Sequence, residues 1–156
     1  MPYDLRPIDD RFFEDAPLVV PATVELEAAP ERVWEALGSD RMWSWVPALD
    51  RLRWVTPHGP GAIRLLRIAQ LVTVEEEFYR WEPARRATFR VTRQSRRVLN
   101  ALAEDFLLEP TATGTRLTWT MALEPRPAPP RAVAAVLTPA LAKGNALGLA
   151  GITTIL

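Results

Sequence analysis

The chain has no cysteine and only one histidine. Without cysteine there is no disulfide, no thiolate zinc site and no thiol nucleophile. The single His58 stands between Pro57 and Gly59 in a turn and reads as an exposed loop residue, so neither a Ser-His-Asp mechanism nor a multi-histidine metal site has its parts. Neither sign of charge prevails, because 19 Lys plus Arg balance 19 Asp plus Glu. Bulk charge thus gives nucleic-acid binding no support. Long apolar runs that would span a bilayer are missing. The opening MPYDLRPIDDRFFEDAP is acidic and lacks the apolar core of a secretory signal. These absences predict a soluble cytoplasmic protein, monomer or homodimer, with no nucleic acid, membrane anchor, metal or cofactor.

What is present is pattern. At 156 residues, 48% hydrophobic, the chain suits one domain with a sizeable core. Residues 1–18 read as an arm that Phe12 and Phe13 would pin to the body, and residues 19–156 as the domain. Val20, Ala22, Val24, Leu26 and Ala28 alternate with polar residues, which marks a first strand. Pro30 and Gly38 bracket a short helix carrying Val33, Trp34 and Leu37. Ser39 or Asp40 caps a second one carrying Met42, Trp43 and Val46, stopped by Pro47. Six further strands follow, broken by TPHGPG, Ala69-Gln70, EPAR, QSRR and the Thr111–Gly114 turn. In the last of them Leu117, Trp119, Met121 and Leu123 form one apolar face. Val133, Val136, Leu137, Leu141, Leu147 and Ile155 then recur at helical spacing, with Pro139 expected to kink a long terminal helix.

The order β-α-α-β-β-β-β-β-β-α makes an α+β fold in which a curved seven-stranded antiparallel sheet wraps around that helix, the only element long enough to cover it. The segments APERVWEAL (29–37), WSWVP (43–47), GPG (59–61), FYRWEP (78–83) and EPTATGTRLTWT (109–120) carry a resemblance to the SRPBCC superfamily, also called START-like or helix-grip, and to its polyketide cyclase/dehydrase branch. The resemblance covers Val19 onward and lies in turns and packing positions, not in a catalytic motif. It implies a deep apolar cavity for lipids, polyketides or similar molecules.

Facing residues of a hairpin share a side of the sheet, so the loops set the register. The expected pairs are Leu108–Leu117, Phe106–Trp119 and Glu104–Met121; Phe89–Leu102 and Val91–Asn100; Phe78–Phe89, Glu76–Val91 and Val74–Arg93; Leu65–Val74, Ile63–Glu76 and Arg67–Val72; and Trp54–Ile63. Every step keeps apolar residues on one face. Arg67, Glu76, Arg93, Asn100 and Glu104 are the polar exceptions on it. The expected lining is Trp34, Trp54, Ile63, Leu65, Arg67, Phe78, Phe89, Val91, Arg93, Asn100, Leu102, Glu104, Phe106 and Trp119, with Leu137 and Leu141 from the helix.

A carboxylate on an apolar face needs a partner or a proton. Glu76 is therefore half of a structural pair with Asn100 or an Arg, or a general acid or base, or the polar anchor for a ligand hydroxyl, and it is the candidate catalytic residue. Glu104, nearer the helix crossing, fits a structural role more closely. Arg67 and Arg93 either snorkel from the rim or guard a mouth. The basic turn RQSRR reads as a solvated hairpin tip, with an anionic-membrane contact as the alternative. Three function classes remain: a carrier of a hydrophobic small molecule, a cyclase/dehydrase-type enzyme using inward Glu and Arg, and a protein-interaction module, which an exposed apolar patch would favour.

Overall fold

The computed structural model describes the backbone of residues 1–156 and every side chain except those of Asp50, Arg131 and Leu137. Its strands are β1 (Tyr3–Asp4), β2 (Leu18–Leu26), β3 (Leu49–Trp54), β4 (Ala62–Ile68), β5 (Val72–Glu82), β6 (Arg86–Gln94), β7 (Leu99–Pro110) and β8 (Thr115–Pro125). The helices are α1 (Phe12–Asp15), α2 (Pro30–Gly38) and α3 (Arg131–Ala150), the last running into a 3-10 turn at Gly151–Thr154. The sheet is antiparallel in the order β2-β8-β7-β6-β5-β4-β3, with β1 against β6. This is the helix-grip arrangement, and every one of the seven expected strands is present.

The alternation in β2 and β8 does what the pattern implies. Val20, Ala22 and Leu26 are buried, as are Leu117 and Trp119 across the ladder. Gly114 in the β7–β8 turn is required by close approach, because a Cβ there would lie 2.0 Å from the Leu26 carbonyl oxygen.

Two features differ from expectation around the helices. One short helix, α2, lies between the first two long strands, while the other, α1, lies in the arm. Residues 40–45 are successive turns in place of the second inter-strand helix, with Trp43 at a φ of 67°. That left-handed residue reverses the chain, burying Met42 and Trp43 side by side. Helix α3 runs unbroken through Pro139, and its buried positions among the described side chains are Ala134 and Leu149, followed by Ile152 and Ile155. Val133, Val136, Leu141 and Leu147 are exposed. Almost every position of α3 is apolar, so its period alone cannot show which stripe faces inward; the face of small residues does, which lets the helix lie close to β2. Gly151 has the same logic at its end. A Cβ there would sit 2.1 Å from the Trp45 indole, whose Nε1 donates to the Gly148 carbonyl at 2.7 Å.

The arm is part of the sheet. β6 and β7 stay paired only from Arg86↔Leu107 to Arg90↔Ala103. Beyond that the arm lies between them, with the Leu5 amide donating to Thr92 O and the Arg6 amide to Asn100 O, both at 2.9 Å. Leu5 is thereby buried against Leu66, Val74, Val91 and Leu102. Phe12 is buried over Ala101, Ala103 and Ala122 on the convex side, with Phe13 beside it, so the arm is pinned as expected.

Candidate functional site

The concave face divides into two ends. At one, Trp34, Trp54, Phe78, Trp81, Phe89 and Phe106 pack ring against ring, with centroids 4.6 Å apart for Phe78–Phe89 and 4.8 Å for Trp54–Phe78. The void left among them is only about 10 Å³. At the other end Leu49, Leu66, Ile68, Val74, Leu99, Leu102 and Met121 surround a cavity of about 170 Å³, closed towards the aromatic end by Trp43, Trp119, Glu76 and Glu104. Trp43 packs against Trp119 with ring centroids 4.9 Å apart and tilted by 48°, and both belong to the cavity wall, while Trp45 is spent on α3.

The polar groups between the two ends come from four strands. Arg64 on β4 is 1% exposed and donates from Nε to Glu76 Oε2 at 2.5 Å. Its guanidinium also sits over Trp54, Phe78 and Phe89, at 5.3, 4.9 and 4.9 Å from the ring centroids. Paired to one carboxylate and enclosed by three π-faces, this cation belongs to the aromatic end. Glu76 on β5 is 2% exposed and reaches the cavity wall. Glu104 on β7 accepts a hydrogen bond at Oε2 from Trp119 Nε1 on β8 at 2.8 Å. Protein surrounds Glu104, yet part of its surface is accessible because that part borders the cavity. Burial pushes its carboxyl up to about 8, the negative charge of Glu76 adds to the shift, and Arg64 and the Trp119 hydrogen bond oppose it. At neutral pH Glu104 is therefore mainly a protonated acid in an apolar wall.

The expected lining is partly displaced by register. Phe106–Trp119, Glu104–Met121, Phe78–Phe89 and Glu76–Val91 pair as expected. The β4–β5 turn, however, contains Ala69, Gln70 and Leu71, so Arg64 pairs with Glu76 and Leu66 with Val74. That single extra residue turns Ile63, Leu65 and Arg67 to the convex face and brings in Arg64, which sequence reasoning missed. A bulge at Thr92 puts Arg93 opposite Glu75 on the convex face, where it reaches Asp4 at 3.6 Å and Met1 O at 2.6 Å. Gln94 is buried in its stead, clasping the backbone at Val98 and Leu99. A second bulge frees Asn100 from the ladder, and it bonds Glu124 at 3.1 Å and Arg126 at 3.2 Å, away from the cavity. Phe89 faces Glu104, not Leu102; this shift of two residues leaves both faces unchanged. Leu102 and Trp119 line the cavity, and Val91 packs beside it. Trp34, Trp54, Phe78, Phe89 and Phe106 fill the solid end. Leu141 is 37% exposed and off the lining, and Leu137 lies outside the described side chains. Glu76 is inward and paired with an arginine, one of its expected partners, but that arginine is Arg64, which the expected register left on the other face.

The remaining polar features are tied to structure. His58 is exposed and meets the Trp54 ring edge-on at 4.3 Å between centroids. In the basic turn, Arg96 donates to Leu71 O at 3.0 Å and Arg97 lies over the Tyr3 ring at 5.7 Å. Asp10 binds Arg80 and the Tyr79 hydroxyl; the Arg80 hydrogen bond holds its carboxyl below the usual carboxylate value, while burial raises the Tyr79 phenol. No metal-ligating cluster and no helix long and apolar enough to cross a membrane occur among the described residues.

A sheet curled on a terminal helix with a hollow at one end defines a START-like helix-grip protein. The chain belongs to the polyketide cyclase/dehydrase and lipid transport family, whose model matches residues 17–154. It is 36% identical over 114 residues to the uncharacterized protein Rv2574 of Mycobacterium tuberculosis, covering 71% of this chain and 68% of that one. Among solved structures, a START superfamily protein from Mycobacterium smegmatis aligns with a TM-score of 0.68 at 16% identity, covering 88% of this chain and 99% of that one. The Zhui aromatase/cyclase from Streptomyces sp. R1128 aligns with a TM-score of 0.63 at 16% identity, over 86% and 89% of the two chains. Fold and family together point to hydrophobic-ligand binding or polyketide cyclase-type chemistry.

Proposed function

We propose that the protein binds and carries a compact, largely apolar small molecule in the hollow at the aliphatic end of the sheet. The observation that carries this reading is the contrast in filling. The same sheet that packs its aromatic end to a 10 Å³ void leaves about 170 Å³ beside Leu66, Leu102 and Met121. A hollow apolar wall forfeits packing contacts, which a guest restores. Saturable binding of an environment-sensitive apolar dye should quench tryptophan emission, because Trp43 and Trp119 form the wall. Leu102→Trp should fill the hollow and abolish that binding while the fold persists. Dye uptake that is absent, or identical in the filled variant, would refute the reading.

One observation favours enzymatic turnover as the second reading. Glu76 and Glu104 reach the same hollow in unequal environments, one paired with Arg64 and the other kept protonated by burial. Two carboxyls held apart in this way can divide the roles of base and acid. Proton removal from a polyketone α-carbon by one, with protonation of the carbonyl oxygen by the other, is the step they would serve. Turnover of a poly-β-ketone thioester that disappears in both Glu76→Gln and Glu104→Gln would establish it; unchanged turnover in both would exclude it.

A further inference from the structure

The cavity wall carries two carboxyl groups, Glu76 and Glu104, and no cation among the described residues. Arg64, which neutralises Glu76, faces the aromatic end and lines the other, nearly filled void. Glu104 Oε2 accepts from Trp119, and among the described residues Glu104 makes no other hydrogen bond. Its Oε1 is thus left to whatever occupies the hollow. Among the described residues, the basic group nearest the two carboxyls, Arg64, is screened by a carboxylate and three rings.

From this arrangement we propose that the hollow selects uncharged ligands bearing a carbonyl or comparable hydrogen-bond acceptor, fixed by the Glu104 carboxyl as donor, and rejects carboxylates. The proposal rests on the ligand-binding reading above and names the chemistry of the ligand. Three groups face Glu104 from the neighbouring elements: Glu76 on β5 and Arg64 on β4 act through their charges, and Trp119 on β8 acts through its N–H. An ionised ligand would add a second negative charge beside Glu76 in a site of low dielectric, with no guanidinium among the described residues of the wall to meet it. A neutral acceptor instead takes the Glu104 hydroxyl proton, since Trp119 has already spent its N–H on Oε2. The carboxyl retains its proton in the apolar wall through neutral pH, burial having moved it to about 8.

Size sets the probes. An apolar cavity of about 150 Å³ holds a benzene-sized guest, so monocyclic compounds suit a hollow of about 170 Å³. Calorimetric titration of the full chain with ethylbenzene, acetophenone and benzoate separates the cases. At pH 6.5 acetophenone should bind about tenfold more tightly than ethylbenzene, the value of one hydrogen bond made in a dry site, and benzoate should not bind measurably. At pH 9.5 the advantage of the ketone should vanish with the proton on Glu104. Glu104→Gln keeps an N–H donor at either pH and should keep the preference at both. Glu104→Leu should lose it at both while still taking up ethylbenzene. Equal binding of ketone and hydrocarbon in the native chain at pH 6.5, or benzoate binding as tightly as acetophenone, would overturn the proposal and leave the carrier reading standing. Failure of all three probes to bind would overturn both.

Discussion

The two ends of the concave face are built by the same strands and come out differently. On β5 the residue towards one end is Phe78 and towards the other Val74; on β7 the pair is Phe106 and Leu102; on β4 it is Arg64 and Leu66. The aromatic end closes because flat rings interlock and because Arg64 fills the space between them with its own long side chain. The aliphatic end stays open because its residues are shorter and branched, and because Val133, Val136, Leu141 and Leu147 of α3 are exposed and do not fill it. The lesson is that a buried charge can serve packing at one end while leaving its partner's neighbourhood, at Glu104, as the functional element of the other. Four experiments bear on this contrast.

Removing the cation should have the largest effect. Arg64→Met leaves Glu76 buried without its partner and should cost about 3–5 kcal/mol in urea denaturation at neutral pH. Pairing it with Glu76→Leu should recover most of that loss, because two apolar residues satisfy each other where a lone charge cannot. A single variant as stable as the native chain would show that water, and not protein, surrounds Glu76.

Next comes pH. The Glu104 carboxyl is raised from 4.5 to about 8. Between those values the folded chain holds a proton that the unfolded chain has released, so its contribution to stability is complete in acid and declines as pH rises through the window. Relative to Glu104→Gln, the native chain should lose about 2–4 kcal/mol between pH 5 and 8.5. Asp10, whose carboxyl is lowered by Arg80, acts in the opposite sense at lower pH and cancels in that comparison. A flat difference would place Glu104 in contact with bulk water.

The same truncation made at each end should then differ by about 2 kcal/mol. Leu117 belongs to the solid end and is 0% exposed, whereas Leu102 is 8% exposed on the cavity wall. Leu117→Ala should cost about 4 kcal/mol and Leu102→Ala about 2, since a side chain bordering a hollow gives up fewer contacts. Equal losses would mean that the two ends are equally packed.

Enlargement should give the smallest effect, with the solid end again the costlier. Ala87→Val at the solid end should cost about 1–2 kcal/mol through overpacking. Leu66→Phe at the hollow end should change stability by less than about 1 kcal/mol while lowering dye binding. Thermal melts of the two variants beside a dye titration check both halves.

Most of the architecture was legible in the chain. The alternation in β2 and β8, the Pro30–Gly38 helix and the turn signals place all seven strands, because a two-residue period with one buried face has few solutions. The Phe106–Trp119 and Glu104–Met121 pairs were legible too, since the tight Thr111–Gly114 turn sets the β7–β8 register. Arg64 was not. Its inward position depends on whether the turn after Ile68 holds two residues or three, and nothing in Ala69-Gln70-Leu71 specifies that count. Arg93 and Asn100 were misplaced for the related reason that bulges leave no mark in an alternating pattern. In α3 the difficulty was the opposite one: with apolar residues on every side, amphipathic period carries no direction.

Local pattern therefore determined the seven long strands, α2 and α3, that they form one antiparallel sheet closed by a terminal helix, and that carboxylates stand on its apolar face. Only the tertiary structure decided which arginine meets Glu76, that the arm wedges β6 from β7, and that the hollow lies at the aliphatic end. The reason is physical. Secondary structure follows from periods of two and 3.6 residues within a segment, whereas the face a residue presents in a sheet depends on an odd or even count of residues in distant turns and bulges, and that count is settled by which arrangement buries the most surface and leaves the fewest charges alone.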